Sequence, residues 1–105
     1  MTLIKAVINN NGGSATRSAW NLHATGPVSF SGPGPSVSNP AGFTAGTYHL
    51  SESGGVPGYA ASAWVCVGGN QLDGDSVALS PGQTATCTIT NDYIGPTLTL
   101  TKSIV

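Results

Sequence analysis

The chain consists of short segments in which apolar and polar residues alternate, and Gly or Pro interrupts nearly every stretch. Alternation with a period of two is typical of β-strands, and no window shows the spacing of three and four that a helix requires. The pattern predicts an all-β sandwich of about seven to eight strands. The predicted strands are residues 2–8, 18–24, 28–31, 42–44, 47–53, 63–67, 76–79 and 84–91.

Turn-forming residues separate these segments. Residues 9–13, 73–75 and 80–83 are rich in Asn, Asp, Gly and Pro, which favour turns. Residues 31–40 contain three prolines and are expected to form an extended loop. Because proline lacks the N–H that a central strand must donate, this segment cannot lie in the interior of a sheet.

Three polar residues occupy positions where the alternation expects apolar ones: Lys5, Glu52 and Asn91. Residues two apart in a strand share a face, so each of the three is predicted to point into the core from a different strand. The apolar residues on the same three faces are Leu3 and Val7, Tyr48 and Leu50, and Cys87 and Ile89. A buried amine, acid and carboxamide indicate either a reaction site or a costly arrangement.

The three groups together can form a covalent bond. Burial lowers the pKa of a lysine and raises that of a glutamate, so Lys5 and Glu52 side by side can exchange a proton and both become neutral. The neutral amine can then attack the Asn91 carboxamide while Glu52 moves protons, releasing ammonia and leaving an intramolecular isopeptide bond. In the alternative interpretation, Lys5 extends to water, Glu52 is solvated at a strand end and Asn91 is an ordinary turn residue.

Ionic side chains are scarce. Charged residues make up 7% of the 105 residues, with three cations, four anions and a net charge of −1. This composition makes nucleic acid and anionic membranes poor partners. No apolar run is long enough to span a membrane. The chain shows no signal peptide, so a secreted origin would make it a piece of a longer protein.

Two cysteines, Cys66 and Cys87, fall in predicted strands. They are either buried thiols or a disulfide, and an ion-poor, Thr-rich β domain favours an extracellular setting in which disulfides persist. With no cluster of further ligands, no metal site is expected, and no cofactor is predicted. The histidines, His23 and His49, lie on separate predicted strands, and Asp73 and Asp75 are too few ligands for calcium.

Residues 98–105 repeat residues 1–8, with Thr, Leu and Lys identical in register, so that Lys102 corresponds to Lys5. The offset of about one domain length predicts a sandwich repeat over residues 1–92, a short linker over 93–96 and the opening strand of a following repeat over 97–105. Lys102 would then be the crosslinking lysine of that repeat. An unpaired apolar strand invites pairing, so this segment is expected to be disordered or docked on a neighbouring repeat or like subunit.

The segments Gly46-Thr47-Tyr48-His49-Leu50-Ser51-Glu52 and Val56-Pro57-Gly58-Tyr59 resemble the G-x-Y-x-L-x-E and P-x-G-Y signature of Cna-B/SpaA-type prealbumin-like repeat domains of bacterial surface proteins and pilins. The opening Leu3-x-Lys5 and the closing Ile89-Thr90-Asn91 are similar to that family's first and last strands. The resemblance implies an immunoglobulin-like or prealbumin-like β-sandwich. It also implies that Lys5 and Asn91 are the residues of the isopeptide crosslink and that Glu52 is the proton shuttle.

These observations predict a structural module of a secreted bacterial surface adhesin or pilus-like protein, crosslinked by the isopeptide bond and a disulfide. The alternative is a binding module that recognises a host protein or glycan through its loops. An enzyme with turnover is the weakest class, because no catalytic motif other than the self-reacting triad is visible. Exposure of Trp20 would discriminate, since this residue is the best candidate for stacking on a sugar.

Overall fold

The computed structural model describes residues 1–94, which form ten β-strands and two short 3-10 turns at Asn10–Gly12 and Arg17–Ala19. The strands are β1 (Thr2–Ile8), β2 (Trp20–Thr25), β3 (Phe30–Pro33), β4 (Ser36–Ser38), β5 (Gly46–Gly54), β6 (Tyr59–Ala61), β7 (Val65–Val67), β8 (Asn70–Asp73), β9 (Ser76–Leu79) and β10 (Thr86–Tyr93).

The strands form two five-stranded sheets that pack face to face as a sandwich. The first sheet has the order β4-β1-β10-β6, with β7 also paired to β10, and the second has the order β3-β2-β5-β9-β8. The first and last strands lie side by side and parallel, in register from Thr2 opposite Thr86 to Ile8 opposite Asp92. The other strand pairs are antiparallel. The predicted all-β sandwich of the prealbumin-like type is confirmed.

The core consists of the alternate, inward-facing residues of both sheets, as the period of two requires. Its buried apolar members are Met1, Leu3, Trp20, Leu22, Ala24, Tyr48, Leu50, Trp64, Val77, Leu79, Ala85, Cys87 and Ile89. Among the described residues, the buried polar ones are Lys5 and Asn91. Both lie in the first sheet, on the two neighbouring strands that begin and end the domain.

Several strand predictions differ from the structure. The predicted strand over 42–44 is wrong, since these residues form a turn and loop, whereas β4, β6 and β8 were not predicted. The three missed strands are short and mostly exposed, so their sequences carry little alternation. The proline-rich segment 31–40 contains the end of β3 and all of β4, and each of these strands pairs on one side only. The prolines therefore lie at sheet edges, where a missing N–H is tolerated.

The final strand continues to Tyr93, two residues beyond its predicted end. The predicted opening strand of a following repeat, residues 97–105 with Lys102, lies outside the described residues. The division into a domain over 1–92 and a linker over 93–96 stays a prediction. In the described part of the chain, no helix is long and apolar enough to cross a membrane.

Candidate crosslinking site

The side chains of Lys5, Asn91 and Glu52 project into the sandwich from three strands. Lys5 is in β1 and Asn91 in β10, on the core-facing side of two adjacent parallel strands. Glu52 comes from β5 in the opposite sheet, where it pairs with Leu22 of β2. The parity of each strand places all three inward, as the sequence predicts. The two sheets therefore bring an amine, a carboxamide and a carboxylate toward one region of the core.

Lys5 is completely buried and paired with a carboxylate. Its Nζ atom donates a hydrogen bond to Glu52 Oε1 at 2.5 Å, and its side chain has no exposed surface. The Glu52 side chain is 15% exposed. Burial lowers the pKa of Lys5 from its ordinary value, and the hydrogen bond and negative charge of Glu52 oppose this shift. The neutral amine is thus favoured relative to a lysine in water.

Asn91 is 4% exposed, and its Oδ1 atom has no hydrogen-bond partner among the described residues. Its backbone neighbours are Val7 in β1 and Ala61 in β6. Leaving a buried carbonyl oxygen without a donor costs about 1–3 kcal/mol, so the fold retains this amide at a penalty. Glu52 accepts a hydrogen bond from Lys5, whereas the Asn91 Oδ1 atom receives none from Glu52 in this structure.

An indole ring covers the lysine amine. Lys5 Nζ lies 4.5 Å from the centre of the Trp20 ring, which is in β2 and only 3% exposed. Trp20 in turn makes an edge-to-face contact with Tyr59, with ring centres 5.2 Å apart. Its burial removes the best sugar-stacking candidate of the alternative function. Sequence reasoning did not place Trp20 at this site, although its alternation with Leu22 and Ala24 predicts an inward direction.

The predicted disulfide is present. Cys66 in β7 and Cys87 in β10 are directly opposite each other in the ladder, with an S–S distance of 2.11 Å. Cys87 lies in the same strand as Asn91 and opposite Leu3 of β1. Within the described residues there is no free cysteine. This covalent link joins β10 to β7, while β10 pairs with β1 along nearly its whole length.

The two histidines lie away from the lysine and bind separate partners. His23 Nε2 is 2.7 Å from Ser53 Oγ, and His49 Nε2 is 3.0 Å from Asp75 Oδ2. Asp73 is the last residue of β8, and Asp75 lies in the turn before β9. In residues 1–94, no group of three or more His, Cys, Asp or Glu side chains is arranged to hold a metal ion.

Comparison with known proteins identifies the family of this chain. The family model for SpaA-type prealbumin-like fold domains matches residues 1–89, which includes Lys5 and Glu52 and ends two residues before Asn91. No curated protein and no solved structure matches the chain. Domains of this type are structural, and they typically occur in secreted surface or pilus proteins. With its two-sheet sandwich and a family match over most of its length, the chain belongs to the SpaA-type prealbumin-like fold domains.

Proposed function

We propose that this domain is a load-bearing stalk module of a secreted bacterial surface adhesin or pilus-like protein, and that it crosslinks itself once through an isopeptide bond between Lys5 and Asn91. The observation that carries the proposal is the completely buried Lys5 amine, which is hydrogen-bonded to Glu52 at 2.5 Å. The neighbouring strand carries Asn91, whose buried Oδ1 atom has no hydrogen-bond partner among the described residues. A purely structural core would replace such groups with apolar side chains at little or no cost.

The reaction begins with a proton transfer from the Lys5 ammonium to the Glu52 carboxylate, which are already hydrogen-bonded. Because burial disfavours the charged lysine, this transfer generates a neutral amine whose lone pair can attack the carboxamide carbon of Asn91. Protonated Glu52 then polarises the Asn91 carbonyl by donating a hydrogen bond to its free oxygen.

Attack of the amine gives a tetrahedral intermediate at the Asn91 carboxamide carbon, which collapses when the bond from this carbon to the Asn91 nitrogen breaks. Glu52 accepts a proton from the attacking nitrogen and delivers one to the leaving nitrogen, which departs as ammonia. The ammonia then takes the proton that Glu52 still holds and becomes ammonium. The product is an amide between Lys5 and Asn91 with a regenerated Glu52 carboxylate. The two reacting residues are consumed, so the chain performs a single event on itself, and proximity supplies the rate.

The place of the bond in the fold supports a mechanical role. Lys5 and Asn91 lie on the first and last strands, so an amide between them would join the two ends of the domain. The disulfide from Cys66 to Cys87 adds a second covalent link on the same final strand. The sparse charge of the chain and the family's occurrence in surface and pilus proteins are consistent with this role.

Intact-mass measurement tests the proposal directly. The wild-type protein is expected to be lighter than its sequence by one ammonia, in addition to the two hydrogens lost in the disulfide. Glu52→Ala removes the proton shuttle but leaves both reacting groups, so its mass should lack the ammonia loss while the domain still folds. A wild-type mass that retains the ammonia would contradict the crosslink, and a Glu52→Ala protein that still loses it would contradict the assigned role of Glu52.

A further inference from the structure

The indole of Trp20 lies on the Lys5 amine at the site proposed for crosslinking. Lys5 Nζ is 4.5 Å from the ring centre on one side and 2.5 Å from the Glu52 carboxylate oxygen on another. Both the lysine and the tryptophan are essentially without exposed surface. The amine is therefore held between a carboxylate and an aromatic face in the space that water would otherwise occupy.

Glycine backbone holds the indole in this position. A Cβ atom on Gly55 would lie 2.1 Å from Trp20 Nε1, so only glycine allows the chain to pass this close to the ring. Gly55 has a φ of +95°, and its N–H donates to Ala19 O at 2.8 Å, next to Trp20. On the other side, Gly34 N donates to Trp20 O at 2.9 Å, and a Cβ on Gly34 would lie 2.9 Å from Lys5 Cβ.

An aromatic face acts on the amine in two ways. It attracts an ammonium group, more strongly where water is excluded, and so directs the lysine side chain to one place. Its bulk also excludes water, which strengthens the interaction with Glu52 and removes the hydration that would stabilise the ammonium. Since a misplacement of about 1 Å can cost about a hundredfold in rate, a side chain that fixes the amine matters for the reaction.

We propose that Trp20 is a positioning residue for isopeptide formation, which holds the Lys5 amine against Glu52 and excludes water from it. Gly55 is required because only a glycine there leaves room for the Trp20 ring. The inference rests on the proposed function and extends it to two residues that neither react nor transfer protons. Trp20 acts through Lys5, and Gly55 acts through Trp20.

The test follows ammonia loss by intact mass after refolding denatured, uncrosslinked protein under oxidising conditions. Trp20→Ala should slow crosslinking by about a hundredfold, as expected for a displaced nucleophile. Trp20→Phe keeps an aromatic face and should remain within about tenfold of wild type. Formation of the disulfide and the near-UV circular dichroism spectrum establish that each variant has folded before its rate is compared.

A matched pair of glycine variants separates the contact with the ring from backbone strain. Gly55→Ala should displace the indole and slow crosslinking by about tenfold or more. Gly82 also has a positive φ, +77°, but a Cβ there would meet nothing within 4 Å. Gly82→Ala therefore carries comparable backbone strain and should crosslink at the wild-type rate.

The dependence of the rate on pH distinguishes positioning from a general effect on the fold. The charged group that faces the Lys5 amine is Glu52 from β5, while Trp20 and Asn91 contribute no charge. Trp20→Ala admits water to the amine, and because burial is the largest influence on the pKa of Lys5, this effect outweighs the lost attraction of the ring. The pKa of Lys5 should therefore rise towards its ordinary value, and the rate profile should shift to higher pH. Gly82→Ala should leave the profile unchanged.

Two outcomes separate this inference from the proposed function. A wild-type protein that never loses ammonia would overturn both. A wild-type protein that crosslinks, together with folded Trp20→Ala or Gly55→Ala proteins that crosslink within twofold of its rate and with its pH profile, would overturn the role of Trp20 alone. Because Gly55→Ala leaves the tryptophan in the chain, it keeps the test decisive if Trp20→Ala does not fold.

Discussion

Lys5 and Asn91 point into the core from neighbouring parallel strands but are not directly opposite each other. Lys5 pairs with Ile89 and Asn91 pairs with Val7, so the two residues are offset by two positions, or about 6.6 Å along the strands. The lysine stem is flexible and four carbons long, whereas the asparagine carboxamide stands close to its backbone. An amide between them would run diagonally across the β1–β10 ladder and resist separation of these strands.

The first prediction concerns stability against heat. Asn91→Ala removes the carboxamide, so no bond can form and the loop between the first and last strands stays open. A crosslink around a loop of this length stabilises by roughly 4–5 kcal/mol in the chain-entropy model. For a domain of this size, that corresponds to a decrease in Tm of about 20 °C or more, measured by calorimetry. Equal Tm values for wild type and Asn91→Ala would contradict the crosslink.

The second prediction concerns the cost of burying Lys5 when it has no partner. Glu52→Ala leaves an unpaired amine in a site with no exposed surface. Replacing the lysine as well, in Glu52→Ala/Lys5→Met, should raise the free energy of unfolding by about 2–4 kcal/mol, because the apolar side chain carries no charge to desolvate. Urea denaturation of the two proteins measures the difference. A double variant less stable than Glu52→Ala would show that the amine has another stabilising partner.

The third prediction is a rise in stability with pH in the uncrosslinked protein. In Asn91→Ala, the folded-state pKa of Lys5 is lowered by burial, while the unfolded value is about 10.4. Between these two values the unfolded chain binds more protons than the folded one, so the free energy of unfolding increases with pH. At pH values below the folded-state pKa of Lys5, the folded protein buries the ammonium form, and the free energy of unfolding is lower by the full desolvation cost of this charge.

Denaturation at a series of pH values up to about 10.4 tests this prediction. Asn91→Ala/Lys5→Met is the control, because it lacks the buried amine but retains every other titratable group. Its stability should show no such rise. If both proteins follow the same curve, the amine of Lys5 titrates in the folded state as it does in water.

The fourth prediction separates the two covalent links by force. When Asn91→Ala is pulled from its ends, the disulfide should prevent the segment between Cys66 and Cys87, which are 21 positions apart, from extending. Reduction should then lengthen the unfolded chain by roughly 70 Å, since an extended chain spans about 3.3–3.6 Å per residue. In the crosslinked wild type, force would pass through the Lys5–Asn91 bond, so reduction should not change the extension. A change in the wild type would contradict that force path.

The sequence by itself determined the fold class and the inward direction of the Lys5, Glu52 and Asn91 side chains. Alternation of apolar and polar residues defines each strand and its faces without reference to other strands, because side chains point to opposite sides at successive positions. Lys5, Glu52 and Asn91 could therefore be assigned to the core from Leu3, Leu50 and Ile89, their neighbours two positions away. The composition of the chain favoured a disulfide between Cys66 and Cys87, and this bond is present.

Tertiary structure alone decided the register in which the strands pair and what surrounds the amine. The parallel pairing of β1 with β10 joins segments more than eighty residues apart, and no local pattern encodes that register. The short strands β6 and β8 arise because neighbouring strands offer backbone partners, and their own sequences barely alternate. Trp20 reaches Lys5 only because the two sheets pack face to face and the Gly55 backbone leaves room for its ring, contacts that exist only once the chain is folded.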